Sequence, residues 1–140
     1  MKEPISIRMG GYGPPTTGFS KSLKRIGDKL QAEFGGRVKI DYVFNIMDHG
    51  HKAEDILTLV ENGEITLGYQ SSSYLTDRVP ELGFVDLPFL FAHNAQARGA
   101  MDGDLGAFLA RKPEERINYR ILGWFENGSR HISTQMSPVH

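Results

Sequence analysis

Apolar and polar residues follow two different periods along the first 43 residues of the chain. Residues 5–9 and 38–43 alternate between apolar and polar, which is the two-residue period of a strand. Between them, apolar residues recur every three or four positions, the period of a helix that buries one face. Thr16 or Thr17 is suited to begin this helix and Gly35 to end it. The predicted apolar face consists of Phe19, Leu23, Ile26, Leu30 and Phe34.

Strands and helices continue to alternate after this point. Helices are predicted at residues 52–61 and 95–109, and strands at residues 65–69 and 119–125. Residues 79–91 are apolar but contain two prolines, which remove backbone donors, so this segment is predicted to be an extended, packed loop. The alternation predicts a three-layer α/β fold, with a mixed, mostly parallel sheet and helices on both faces.

A cluster of uncharged polar residues follows the strand predicted at residues 65–69. It consists of Gln70, Ser71, Ser72 and Ser73. In an α/β sheet, ligands bind at the carboxyl ends of the strands. The serines lack a Gly-x-Ser-x-Gly turn, and no His and Asp partners are evident for them. The cluster therefore predicts a site that binds a small polar molecule and performs no catalysis.

The loop after the first strand is rich in glycine and leaves two interpretations open. Its residues Gly10, Gly11, Tyr12 and Gly13 are similar to a phosphate-binding loop. Two prolines follow, however, where a dinucleotide-binding fingerprint needs another glycine and the start of a helix. The loop is then either a simple turn before the helix or a segment that lies over a ligand, with Tyr12 as one wall.

Arg130 is the most informative charged residue of the sequence. It follows the strand predicted at residues 119–125 and an Asn-Gly turn. At the edge of a sheet, an arginine can donate two parallel hydrogen bonds to a carboxylate. A surface salt bridge is an equally good interpretation of Arg130 on the residues alone.

Composition and charge exclude several classes of partner. The 140 residues carry 16 Lys and Arg against 17 Asp and Glu, a formal net charge of -1, which gives no reason to expect nucleic acid or an anionic membrane surface. The chain has no cysteine, which excludes disulfides and thiol chemistry. It begins almost directly on a strand without a signal-peptide pattern, as expected for a cytoplasmic protein or an exported one whose leader has been removed.

Asp48, His49 and His51 are the one candidate for a metal-dependent enzyme. Zinc sites need three or four convergent ligands, and the other histidines are far away in the sequence. A solvated loop before the second helix is the favoured interpretation. No cofactor is predicted.

Taken together, these segments resemble the solute-binding proteins of tripartite ATP-independent periplasmic (TRAP) transporters, of the dicarboxylate-binding type. The resemblance rests on the order and spacing of several segments and covers nearly the whole chain. They are Gly-Gly-Tyr-Gly-Pro-Pro at residues 10–15, residues 55–57 and 61–63, residues 67–75, residues 80–83 and 86–91, and residues 123–133.

The resemblance implies a periplasmic protein of two lobes, without enzymatic activity, that closes on an organic acid and delivers it to a membrane permease. Residues 1–140 would be the incomplete N-terminal lobe of a type II periplasmic-binding-protein-like fold, with the second lobe absent. The implied ligand contacts are Gly10, Gly11, Tyr12, Gln70, Ser71, Ser72, Ser73 and Arg130. An alternative is a module from a truncated gene that self-associates through its incomplete sheet edge.

Overall fold

The computed structural model describes residues 2–129, and at their centre lies a parallel sheet of three strands. The strands, in chain order, are β1 (Ile5–Gly10), β2 (Val38–Val43) and β3 (Leu67–Gly68). β1 lies in the middle of the sheet, paired with β2 along its whole length and with β3 through Met9 and Gly10. Because all three strands run in the same direction, their carboxyl ends meet at one edge of the sheet.

The first helix, α1 (Gly18–Phe34), covers one face of the sheet. It begins after Thr17, whose side chain accepts a hydrogen bond from a backbone amide of the first turn. It ends at Gly35, whose φ of 56° favours glycine. Leu23 of α1 packs against Met9 and Tyr69, so the predicted helix and its position on the sheet are confirmed.

The buried face of α1 differs from the prediction at one point. Ile26 and Phe34 are 36% and 39% exposed, although they belong to the apolar period. Gly27 is buried instead, and a side chain there would overlap the hydroxyl of Tyr42 on β2. The helix therefore approaches the sheet closely at a residue that an apolar pattern cannot mark.

The opposite face of the sheet is covered by the second helix. The segment predicted as one helix at residues 52–61 forms a 3₁₀ turn (Ala53–Asp55) and then α2 (Ile56–Glu61). Ile56 is fully buried, and its side chain leaves little room for anything but glycine at Gly68 of β3. Helices therefore lie on both faces of a parallel sheet, and the predicted three-layer α/β fold is confirmed.

β3 is shorter than the predicted strand at residues 65–69. The Thr66 amide donates to the Arg8 carbonyl at 2.8 Å, but the Arg8 amide donates to the Thr66 hydroxyl at 3.1 Å and not to a main-chain oxygen, and the strand begins at Leu67. Ile65 and Tyr69, on either side of the short strand, are both buried. The prediction of a buried apolar segment is right, and its length as a strand is wrong.

Two helices replace the single one predicted at residues 95–109. They are α3 (Asn94–Asp102) and α4 (Asp104–Arg116), with Gly103 between them. The chain folds back so tightly that a side chain at Gly106 would overlap the carbonyl of Met101. Leu109 of α4 belongs to a further core cluster, whose other members are Leu57, Leu75, Val79 and Leu82.

The apolar segment at residues 79–91 is only half packed. Its first part forms a 3₁₀ helix (Pro80–Asp86), in which the Leu82 side chain is fully buried, as is Val79 just before it. The prediction of an irregular, packed segment holds here, but the conformation is helical rather than extended. Of the part that follows, residues 87–89 are exposed and residues 90 and 91 are half-buried.

The strand predicted at residues 119–125 is absent. Tyr119, Ile121 and Trp124 pack against the core cluster around Leu109, and the Trp124 indole donates to the carbonyl of Gly106 at 3.3 Å. Apolar side chains are therefore buried here without a ladder. These side chains are covered by the core cluster, and the segment does not pair with the open edge of β3.

Candidate functional site

The loop after β1 is held against the ends of both neighbouring strands. The Gly11 amide donates to the Val43 carbonyl at 3.1 Å, and the Ile46 amide donates to the Gly11 carbonyl at 2.9 Å. Gly11 also lies against the ring of Tyr69, where any side chain would overlap that ring. Glycine is required at this position because the loop and the residue after β3 approach each other so closely.

Tyr12 joins the loop to the polar cluster after β3. The backbone amide of Ser71 donates to the Tyr12 hydroxyl at 3.2 Å. The Tyr12 ring lies 5.2 Å from that of Tyr69 and 6.1 Å from that of Tyr74, measured between centroids. Burial raises the pKa of Tyr12 above its usual value near 10, against a smaller opposing effect of the hydrogen bond from Ser71. The phenol is therefore neutral around pH 7, and its hydroxyl hydrogen can be donated to another group.

Among residues 2–129, only one of the two polar atoms of the Gln70 side chain forms a hydrogen bond. Its Nε2 donates to the Glu54 carbonyl at 2.9 Å, which fixes the side chain against the turn before α2. Its Oε1 is buried and has no hydrogen-bond partner among residues 2–129. A buried acceptor without a donor costs on the order of 1–3 kcal/mol. A hydroxyl group or a water molecule that reached this oxygen would recover that cost.

The three serines lie where the chain turns away from the sheet. The hydroxyl oxygens of Ser71 and Ser73 are 2.7 Å apart, so one donates to the other. Ser72 begins a 3₁₀ helix (Ser72–Leu75) and is partly exposed. The Ser71 hydroxyl is thus bound to another hydroxyl, and no base activates it among these contacts.

The structure brings together the loop and the polar cluster that the sequence selects separately. Gly10 and Gly11 are buried, and both backbone groups of Gly11 are already bonded to Val43 and Ile46, whereas Tyr12 and the cluster offer side chains. Arg130 lies outside the described residues, so its role remains a prediction. The part of this site that the structure describes contains neutral hydrogen-bonding groups.

Aromatic residues around the site are what the sequence pattern misses. Tyr69 is buried behind Gly11, and Phe19 of α1 lies 5.5 Å from the Tyr69 ring. Phe125 stacks on Phe19 at 6.0 Å, which brings the segment after α4 beside the site. A signal for Tyr69 is the two-residue period of a strand, which places it on the same face as Leu67. In the sheet, Leu67 is paired with Met9.

The candidate metal ligands do not form a metal site in the described part of the chain. Asp48 accepts a hydrogen bond from the Asn45 side chain at 2.9 Å, and the His51 Nδ1 lies 3.8 Å from a carboxylate oxygen of Asp55. Among residues 2–129, no three His, Cys, Asp or Glu side chains are arranged to hold a metal ion. The interpretation as a loop before the second helix is the better one.

The described helices include none that is both long enough and apolar enough to cross a membrane.

Comparison with known proteins identifies relatives along nearly the whole chain. The family model described as bacterial extracellular solute-binding protein, family 7, matches residues 9–140. A solute-binding protein of Verminephrobacter eiseniae is 32% identical over 118 residues, which are 84% of this chain and 34% of that protein. The 2,3-diketo-L-gulonate-binding periplasmic protein YiaO of Escherichia coli is 28% identical over 134 residues, 96% of this chain and 40% of that protein.

A solved structure agrees with the fold. The TRAP periplasmic solute-binding protein of Sulfurospirillum deleyianum, crystallised with bound succinate, superposes with a TM-score of 0.72 at 23% identity. The superposition covers 82% of this chain and 36% of that protein. The chain thus spans between about a third and two fifths of the length of the proteins that it matches.

Proposed function

Because this chain belongs to family 7 of the bacterial extracellular solute-binding proteins, we propose that it captures an organic acid in the periplasm and delivers it to the membrane permease of a TRAP-type transporter. The proposed ligand is a dicarboxylate or a related carboxylate. The protein acts by binding and release, without a chemical step of its own. Residues 1–140 form the N-terminal lobe of a protein with two lobes.

The observation that carries this proposal is the hydrogen bond between the Ser71 amide and the Tyr12 hydroxyl. It fixes the loop after β1 beside the polar cluster after β3, at the edge of the sheet where parallel α/β folds bind their ligands. Binding groups that are already positioned lose less entropy when a ligand arrives.

Each group at this edge has a role in the proposal. Tyr12 covers one side of the ligand. The Gln70 Oε1, buried and unpartnered in the described residues, accepts a ligand hydroxyl after a small opening, and the serines bind the polar end. Arg130, as predicted from the sequence, pairs with the carboxylate.

A single lobe is not enough for tight binding. Small-molecule sites bury about 70–90% of the ligand surface, which a groove at one sheet edge cannot do. Closure of a second lobe over the site supplies the remaining cover and exclusion of water. The ligand is therefore to be tested on the full-length protein.

The test is calorimetric titration of the full-length protein with succinate and with 2,3-diketo-L-gulonate. We expect binding of at least one of these acids, and no binding of dimethyl succinate, which lacks the charges. Arg130→Ala is expected to weaken the binding about 10- to 100-fold, the loss expected for a charge-assisted hydrogen bond.

Arg120→Ala is the matched control. Arg120 is exposed and pairs with Glu114 at 2.8 Å, so its removal should leave the affinity unchanged. Equal affinity of all three proteins would refute the role of Arg130. Failure of a broad panel of organic acids to bind would refute the proposed function itself.

A further inference from the structure

Three large apolar side chains are exposed between Phe84, within the 3₁₀ helix at Pro80–Asp86, and Phe89, three residues after that helix. Phe84, Leu87 and Phe89 are 44%, 51% and 95% exposed. We call these three residues the apolar knob. Leu82, two positions before the knob, is fully buried, so the segment is attached firmly at one end and projects its side chains into water at the other. Exposed large apolar side chains that follow one another so closely in the chain are candidates for a surface that binds something else.

Phe89 is also in a strained backbone conformation. Its φ is 60°, and it is the one residue other than glycine with a positive φ among residues 2–129. This region of conformational space is rare for a bulky side chain. Strain of this kind persists where the surroundings impose it and is concentrated at functional positions. Since the Phe89 ring is almost wholly exposed, its contacts in this lobe do not offset the energy of the strained backbone.

We propose that the apolar knob is the surface against which the second lobe of the same polypeptide packs. This inference rests on the proposed two-lobe protein. The chain spans 34–40% of the length of its matched relatives, so most of such a protein would lie outside these residues. The expected counterpart is an apolar patch on that remaining part.

The area of the knob argues against a second copy of the chain as the occupant. A stable complex of separate proteins buries roughly 800 Å² on each partner. Aromatic side chains bury about 150–250 Å² each, and Phe84 and Leu87 are already about half covered. The knob is therefore too small to hold a separate molecule. Two lobes of one chain do not pay the full entropic cost of association, so a patch of this size is sufficient for them.

Cysteine labelling tests the inference directly, because the 140 residues contain no cysteine. Phe89→Cys is made in the 140-residue chain and in the full-length protein, with any cysteines of the extension replaced by serine. Each protein is treated with a charged maleimide. We expect the thiol to react at least about tenfold more slowly in the full-length protein, since packing must open before it can react. Lys29→Cys, at an exposed position of α1, is the control and should react equally in both.

A second variant is expected to change Tm differently in the 140-residue chain and in the full-length protein. Phe89→Gly removes the strain, because glycine adopts positive φ freely. Its Tm should be unchanged or higher in the 140-residue chain. In the full-length protein the same variant loses the buried ring, and Tm should fall by at least about 2 °C.

Several results would overturn the inference. Equal labelling rates at position 89 in the two proteins would do so. Labelling of the short chain that slows as its concentration rises would instead assign the knob to a second copy. A reading frame that closes directly after His140 would also overturn it.

Calorimetry on the same samples separates this inference from the proposed function. Protection of position 89 without any carboxylate binding would support the docking surface and refute the transport function. Carboxylate binding with a freely reacting position 89 would refute the docking surface alone.

Discussion

Two irregular segments of this lobe differ from what their polarity alone would suggest. Residues 70–73 are polar, yet they are tied into the structure through Glu54, Tyr12 and one another. Residues 84–89 include three large apolar side chains, yet these are exposed. The difference shows that polarity alone does not tell which segment a fold holds in place. Hydrogen bonds at the sheet edge fix the first segment, whereas the large side chains of the second are exposed among residues 2–129.

The largest expected effect separates the buried from the exposed part of the apolar segment. Leu82→Ala should lower the free energy of unfolding by about 2–5 kcal/mol, because Leu82 is fully buried in a core cluster. Leu87→Ala, the same change at a half-exposed position, should cost less than about 0.5 kcal/mol in the 140-residue chain. Urea unfolding measures both values. Similar losses for the two variants would contradict the boundary drawn between Leu82 and the apolar knob.

A somewhat smaller effect tests how closely the loop after β1 approaches Tyr69, the residue just before the polar segment. Gly11→Ala places a methyl group against the Tyr69 ring and should destabilise the protein by about 1–3 kcal/mol. Gly99→Ala is the control, since Gly99 lies within α3 with open space around it. Alanine there should stabilise the protein by about 0.5–1 kcal/mol. Opposite signs in thermal unfolding support the close approach at Gly11, and equal signs would exclude it.

The smallest effect concerns the single hydrogen bond that joins the loop to the polar cluster. Tyr12→Phe removes the acceptor of the Ser71 amide and should cost about 0.5–1.5 kcal/mol. Tyr74→Phe, next to it in the aromatic cluster, is the control and should change little. If Tyr12→Phe were as stable as the unchanged protein, the bond would not hold the segment.

The pH dependence of the same variant gives an independent measure. Burial raises the pKa of Tyr12 in the folded protein, so above pH 10 the unfolded chain loses its phenol proton first. The stability from this group is therefore complete below pH 10 and falls as the pH rises through the higher folded-state pKa. Tyr12→Phe should reduce this alkaline fall in Tm. Tyr42 and Tyr119, whose pKa values burial also raises, contribute to the fall that remains, as does Lys24, whose pKa is raised by its hydrogen bond to Asp28.

Much of the fold could be predicted because its signals are local. The strand and helix periods locate β1, β2 and α1 to within a few residues, and a polar cluster at a strand end marks the candidate site. The division between α3 and α4 could not be found in the same way, because it depends on the contact of Gly106 with the Met101 carbonyl. The predicted strand at residues 119–125 failed for a related reason. An apolar pattern predicts burial, and packing on the core cluster around Leu109 provides it here without a backbone ladder.

The sequence selects the residues of the candidate site but not the contacts between them. Tyr12 and Ser71 are 59 positions apart, and nothing in either local sequence states that they form a hydrogen bond. The same holds for Gln70 and the Glu54 carbonyl, which are 16 positions apart. Contacts of this kind depend on the parallel arrangement of β1 and β3, which only the complete sheet defines.

The position of β1 has a consequence for how the lobe is made. Of the three described strands, the central one comes first in the chain, yet Arg8 on it contacts Asp41, 33 positions later, and Thr66, 58 positions later. Long loop closures of this kind slow folding, because chain entropy is lost before the contacts that compensate for it are made. Until Leu67 has been synthesised, one edge of β1 has no native partner and can pair with other nascent chains. A chaperone that covered β1 during this interval would prevent such pairing.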